Sequence, residues 1–218
     1  MVATSSSPGQ VSVEIWEITS LSLRISLSAT LLAALLALPL GVWAGSGQRR
    51  GWGTWFYTGM ALPPAAFGVL VYLLFSRSGP LGGIELLFTP SAMILTQAGL
   101  AAPLIAGFTY AGVVARAPAV GELVASLGGN QRQFLVTLLL ESRRPVAAAL
   151  AAGFGAAISE VGAATIVGGD IRHQTRVLTT ALVLETRLGH LEMALALGAI
   201  SVGIALLVAA LLTLWQDH

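Results

Sequence analysis

There is no cysteine among the 218 residues, which excludes a disulfide framework, a thiolate zinc site and a cysteine nucleophile. Lysine is missing too: all 11 basic residues are arginine, so the phosphate-holding lysine of a P-loop ATPase has no counterpart. The three histidines, His173, His190 and His218, show no metal-ligand spacing. Charge of either sign is scarce. Charged residues make up 10% of the chain, against about 25% in a soluble domain. The formal net charge of +1 gives no electrostatic footprint for nucleic acid. What is present is apolar: 56% hydrophobic residues and a mean hydropathy of +0.83. This composition specifies an integral membrane protein and argues against most soluble enzyme classes.

Five stretches reach the roughly 20 apolar residues needed to cross a hydrocarbon core: 21–45, 55–76, 90–115, 145–169 and 191–215. The expected architecture is all-α, with about five transmembrane helices in one domain over 20–218, behind an N-terminal tail over 1–19. The tail begins with the polar run Thr4 to Gly9, whose composition reads as a disordered end. The first stretch does not read as a secretory signal. Glu14 and Glu17 precede it without any base, and its apolar run exceeds the roughly 7–15 residues of a signal core. An uncleaved span is expected there, and no cytosolic domain is expected after the fifth.

Arginine placement sets the orientation. Arg49, Arg50, Arg116, Arg132, Arg143 and Arg144 fall in the two loops on one face, against Arg24, Arg77, Arg172, Arg176 and Arg187 on the other. The first face is expected to be cytoplasmic, with the N-terminus out and the C-terminus in.

Between the third and fourth spans, Gly121 to Leu127 has helical apolar spacing and Gly128-Gly129 can stop the helix. A second apolar patch, Phe134 to Leu140, leads to Arg143-Arg144-Pro145. The pattern predicts a short helix lying beneath the membrane. It is either a simple interfacial helix or a surface presented to something in the cytoplasm. The fourth span opens with small residues, Ala147 to Ala157, which let helix backbones approach closely in lipid. Gly153 and Gly155 lack the third glycine and the preceding strand of a dinucleotide site. Glu160 stands about 22 Å along the helix from Pro145. A carboxylate at that depth is kept off lipid, either by hydrogen bonding to a neighbouring helix end or by facing the transport path. After Gly169, the apolar residues 177, 181, 184 and 188 share one helical face, predicting a short boundary helix. Arg172, Arg176 and the nearby threonines either offer donors to an oxyanion or, for the arginines, snorkel to water.

The stretch from Glu122 resembles the coupling-helix signature of ABC importer permeases: Glu-Ala-Ala, three residues, Gly, nine residues, Ile, one residue, Leu-Pro. Glu122 and Gly128 match in identity and spacing, and Leu123 and Val124 replace the alanines. Leu138 and Leu140 fill the two apolar positions, and Glu141 stands where proline is expected, with Pro145 four residues later. The run Ser159-Glu160-Val161-Gly162-Ala163-Ala164, then Val167-Gly168-Gly169-Asp170-Ile171, residues 174–181 and Leu184-Glu185-Thr186, closely resembles the permeases of tungstate ABC importers. It is more loosely similar to the molybdate and sulfate permeases. The resemblance runs from about Ser20 to the end.

That resemblance implies a type I importer: two permease chains as a symmetric homodimer, a cytoplasmic ABC ATPase dimer carrying ATP and magnesium, and an extracytoplasmic oxyanion-binding protein, in the inner membrane of a prokaryote. Glu122, Leu123, Val124, Ala125, Ser126, Leu127 and Gly128 would engage the ATPase. Ser159, Glu160, Gly162, Gly168, Gly169, Arg172, Thr175, Arg176 and Thr179 would be pathway or gate candidates. The chain itself would bind no cofactor and perform no bond chemistry. The implied function is tungstate uptake driven by ATP hydrolysis in a partner, with molybdate or sulfate as near alternatives. Two other classes compete. An ion-gradient-driven carrier would use Glu160 as a proton or cation site, but no inverted repeat accompanies it. A non-transporting scaffold leaves the coupling signature unexplained.

Overall fold

The computed structural model describes residues 8–47 and 50–216. Residues 1–7, Gln48, Arg49, Asp217 and His218 lie outside them, and with them the start of the expected tail and part of the first arginine loop. The described residues form helices α1 (Pro8–Ser46), α2 (Arg50–Met60), α3 (Pro64–Phe75), α4 (Pro90–Ser126), α5 (Gln131–Glu141), α6 (Arg143–Ser159), α7 (Gly162–Gly168), α8 (Leu178–Leu188) and α9 (Leu191–Gln216). Three of them, within α1, α4 and α9, are long and apolar enough to cross a membrane. The pairs α2–α3 and α6–α7 raise the number to five if each bent pair is one span.

Directions alternate as five spans require. α1 and α4 run side by side in the same sense, with Ile25 beside Met93 at one end and Gly45 against Val113 at the other. A stripe of small residues at four-residue spacing, Ala29, Ala33, Ala37, Gly41 and Gly45, makes this close contact possible. A Cβ on Gly41 would lie 2.7 Å from the Ala106 carbonyl oxygen. α2 runs the opposite way, its Gly53 against Tyr110 and its Gly59 against Pro103. So does α6–α7, which places Pro145 against Gly112, Gly153 against Ile105 and Gly168 against Met93. α9 begins where α1 begins, its Met193 and Leu197 packing with Ile15 and Ile18. Trp43 and Trp52 meet edge to face, 5.4 Å apart, where α1 gives way to α2.

Three local expectations are corrected. Residues 8–19, expected as tail, are the first turns of α1, because Ile15 and Ile18 are covered by Leu178, Leu197 and Met193. The second and fourth spans are not continuous helices. Pro63-Pro64 removes two amide donors and disfavours helix in the residue before each proline, and α3 leaves α2 at 91°. The fourth span breaks at Glu160-Val161, with a bend of 57°. Finally, no separate short helix occupies 121–127. α4 continues unbroken through Pro118 to Ser126, and at 37 residues it is about 55 Å long, well beyond the roughly 30 Å of a hydrocarbon core.

Candidate functional site

Two regions hold the candidate residues, one at the α4–α5 corner and one where α6 breaks. At the corner, α4 ends on Leu127 and Gly128 follows at φ +68°. That left-handed position lets the Gly129 amide return to the Val124 carbonyl at 2.8 Å. α5 then starts with a capping box: Asn130 accepts from the Gln133 amide at 3.0 Å, and the Gln133 side chain accepts from the Asn130 amide at 2.7 Å. Val124 is buried against Val120, Ala117, Val113 and Leu138, which clamps the corner. Glu122, Leu123, Ala125, Ser126, Leu127 and Gly128 are all exposed. Leu127 is 78% exposed and Leu123 53%. Two large apolar side chains thus project from a rigid corner that also carries the exposed Arg132, while Arg143 and Arg144 are exposed at the far end of α5, where α6 begins. A cleft of about 270 Å³ lies beside them, lined by Gly121, Ala125, Asn130 and Phe134.

At the break, Ser159 is exposed and its hydroxyl donates to the Gly155 carbonyl at 2.6 Å. Glu160 is half-buried. Its carboxylate accepts from the Ala163 amide at 2.8 Å, capping α7. Its own carbonyl accepts from the Thr179 hydroxyl at 2.7 Å, so α8 is tied to the break. Gly162 abuts Ala65 of α3, and Gly68 abuts Ala163. Gly168 is buried against the Met93 sulfur, and Gly169, at φ +73°, lies under the Phe88 ring. The buried Thr175 hydroxyl donates to the Gly168 carbonyl at 2.6 Å and accepts from the Ile171 amide at 3.0 Å, closing the loop after α7.

The structure therefore joins Ser159, Glu160, Gly162 and Thr179 in one place, and Gly168, Gly169 and Thr175 in the loop beside it. It sets Arg172 and Arg176 apart. Arg172 donates to Glu14 at 2.7 Å, and Arg176 lies 3.3 Å from Asp170 and 3.9 Å from Glu14. Both arginines sit on carboxylates, the contacts with Glu14 tying the loop after α7 to α1, and the hydroxyls of Thr175 and Thr179 donate to backbone carbonyls. The partly exposed Arg172–Glu14 pair contributes little energy and acts chiefly by position. Thr179 and Thr180 are buried, because the first turn of α8 is enclosed by α1 and the break.

Sequence reasoning missed Glu14, which grips both arginines, and Glu17, which pairs with His173 at 2.8 Å. The available signal was Ile15 and Ile18, one helical turn apart, each directly after one of those acids. It also missed the pairing of the α2–α3 break with the α6–α7 break. The two proline residues marked the first, but their partner could not be read from local pattern.

The fold is that of a multi-pass α-helical membrane protein with three long apolar helices and two bent helix pairs. No protein-family model matches the chain. It is 39% identical over 209 residues to a probable anion ABC transporter permease protein of Haloferax volcanii, covering 92% of this chain and 90% of that one. It is 35% identical over 208 residues to the tungstate uptake system permease protein TupB of Peptoclostridium acidaminophilum, covering 94% and 91%. A TupB of Campylobacter jejuni is 34% identical over 148 residues, covering 68% and 62%. The chain belongs to the ABC transporter permeases.

Proposed function

We propose that this chain is the membrane-spanning permease of an ATP-driven tungstate importer. It works as a homodimer with a cytoplasmic ATPase pair, which binds ATP and magnesium, and with an extracytoplasmic oxyanion-binding protein, in the inner membrane of a prokaryote. The α4–α5 corner carries the reading: Leu123 and Leu127 are exposed on a clamped turn, as a docking element for a partner requires. With the corner in the cytoplasm, together with the exposed Arg132 beside it and Arg143 and Arg144 at the start of α6, the N-terminus is outside and the C-terminus inside. The substrate follows the names of the two TupB relatives. Molybdate and sulfate are the oxyanions to set against it.

Glu160 separates this reading from a gradient-driven carrier. The Ala163 amide needs an acceptor at that position, which glutamine supplies and alanine does not. In vesicles supplied with ATP, Glu160→Gln retains most of the tungstate uptake and Glu160→Ala loses it. A carrier using Glu160 as its proton site gives the opposite pattern: no uptake with glutamine, and wild-type uptake that survives ATP depletion.

A further inference from the structure

Arg24 is a charge on a helix face that otherwise meets lipid. Trp16, Arg24, Leu27, Leu31 and Leu35 fall on one stripe of α1, and all five are exposed. Depth follows from the same helix. Trp43, which meets Trp52 edge to face, marks one membrane boundary near the end of α1. Arg24 stands 19 residues before it, about 28 Å along the helix, close to the roughly 30 Å of a hydrocarbon core. Arg24 is therefore at the opposite boundary, the extracytoplasmic one in the orientation proposed above. Trp16 lies about 12 Å further out, where an amphipathic ring suits the headgroup layer.

The other charged groups at that end are engaged. Arg172 donates to Glu14, Arg176 donates to Asp170, and His173 faces Glu17. Arg24 forms no hydrogen bond and no ion pair among the described residues. Yet it lines the same cavity of about 240 Å³ as Arg172, His173 and Arg176, with Ile18 and Leu21 as its apolar wall. The paired arginines also keep donors in reserve. A guanidinium carries several N–H groups, of which Arg172 uses one hydrogen bond's worth and Arg176 two.

A membrane boundary supplies one acceptor in quantity, the phosphate of its lipids, and a guanidinium fork matches phosphate with two parallel hydrogen bonds. The cavity is smaller than the roughly 300–1,000 Å³ of pockets that enclose a whole small molecule. It suits a headgroup whose chains stay outside. Leu27, Leu31 and Leu35 continue the stripe directly below Arg24 and offer those chains an apolar bed, for which a dissolved anion has no use.

We propose that Arg24, with Arg172 across the cavity, holds the phosphate of an outer-leaflet phospholipid whose acyl chains lie along Leu27, Leu31 and Leu35. The lipid fills the cleft between α1 and the loop after α7. The site does not depend on which anion the transporter carries.

The delipidated, assembled transporter in detergent is titrated with dioleoyl phosphatidylglycerol and weighed by native mass spectrometry. The wild type takes up one lipid per permease chain before weaker binding begins, and Arg24→Gln weakens that first event on the order of tenfold or more. Arg77→Gln removes an exposed arginine at the same end but outside this cavity, and leaves the first event unchanged. Dioleoylglycerol, with the same chains and no phosphate, binds on the order of tenfold more weakly. Equal first-site affinity in the wild type and Arg24→Gln overturns the proposal, as does dioleoylglycerol binding as tightly as phosphatidylglycerol. Arg24-dependent binding of inorganic phosphate, without that of phosphatidylglycerol, also overturns it, because the site then serves a dissolved anion. Should Arg24→Gln fail to accumulate, Arg24→Met, which keeps an apolar stem on the stripe, decides the outcome by the same comparison.

Discussion

Replacing both Leu123 and Leu127 with aspartate abolishes co-purification of the ATPase and all ATP-dependent uptake, while the chain remains folded in the membrane. The side chains are 53% and 78% exposed, so removing them takes nothing from the core. Covered by a partner, each leucine contributes about 1.5–3 kcal/mol of apolar burial, which amounts to roughly tenfold to a hundredfold in affinity per residue. Aspartate adds the cost of placing an unpaired carboxylate in that interface. The control is Val124→Asp one residue away. Val124 is buried against Val120 and Leu138, so that change unfolds the corner and lowers the yield of the chain itself. The contrast in a detergent-extraction and pull-down assay separates docking from folding. Retained ATPase with both leucines gone removes the corner from the account.

The second large effect is Gly68→Val, which prevents stable assembly of the chain. A Cβ at Gly68 would lie 2.6 Å from the Ala163 Cα and 2.9 Å from its Cβ. Those atoms belong to a short helix already fixed by the Glu160 cap and by Met93 behind it. Overpacking a tight site costs about 1–3 kcal/mol when neighbours can shift, and here backbone would have to move. Valine at Gly203, where no atom lies within 4 Å, serves as the matched control and leaves thermal stability in detergent unchanged. Equal stability of the two variants contradicts the close contact between α3 and α7 that holds the two breaks together.

Much of this was legible in the sequence, for identifiable reasons. Spans announce themselves through the absence of charge, and three long apolar helices with two bent pairs, alternating in direction, are what the structure shows. Pro63-Pro64 advertised an interruption because proline acts through its own covalent structure. Glu160 advertised itself as costly at its depth, but not that it would cap a new helix. That outcome depends on Ala163 being held by Gly68 and on Thr179 reaching back across 19 residues. The tail over residues 8–19 was misread because its order comes from α8 and α9, more than 150 residues away. Likewise, Gly121 to Leu127 has the pattern of a short helix, and nothing local says that α4 runs through Pro118 to include it. Arg172 and Arg176 read equally as oxyanion donors or as side chains reaching for water, and nothing local shows that Glu14 and Asp170 stand beside them.

The central claim is tested most directly by tungsten content, measured by mass spectrometry in cells that lack this chain and in the same cells with it returned. The cells are offered nanomolar tungstate, molybdate or both, at low and high sulfate. The account predicts that tungsten accumulation is lost without the chain, restored with it, and abolished again when the Leu123→Asp, Leu127→Asp double variant is returned instead. Loss of molybdenum with tungsten unchanged contradicts the substrate. Tungsten and molybdenum both unchanged in the absence of the chain contradict the importer itself.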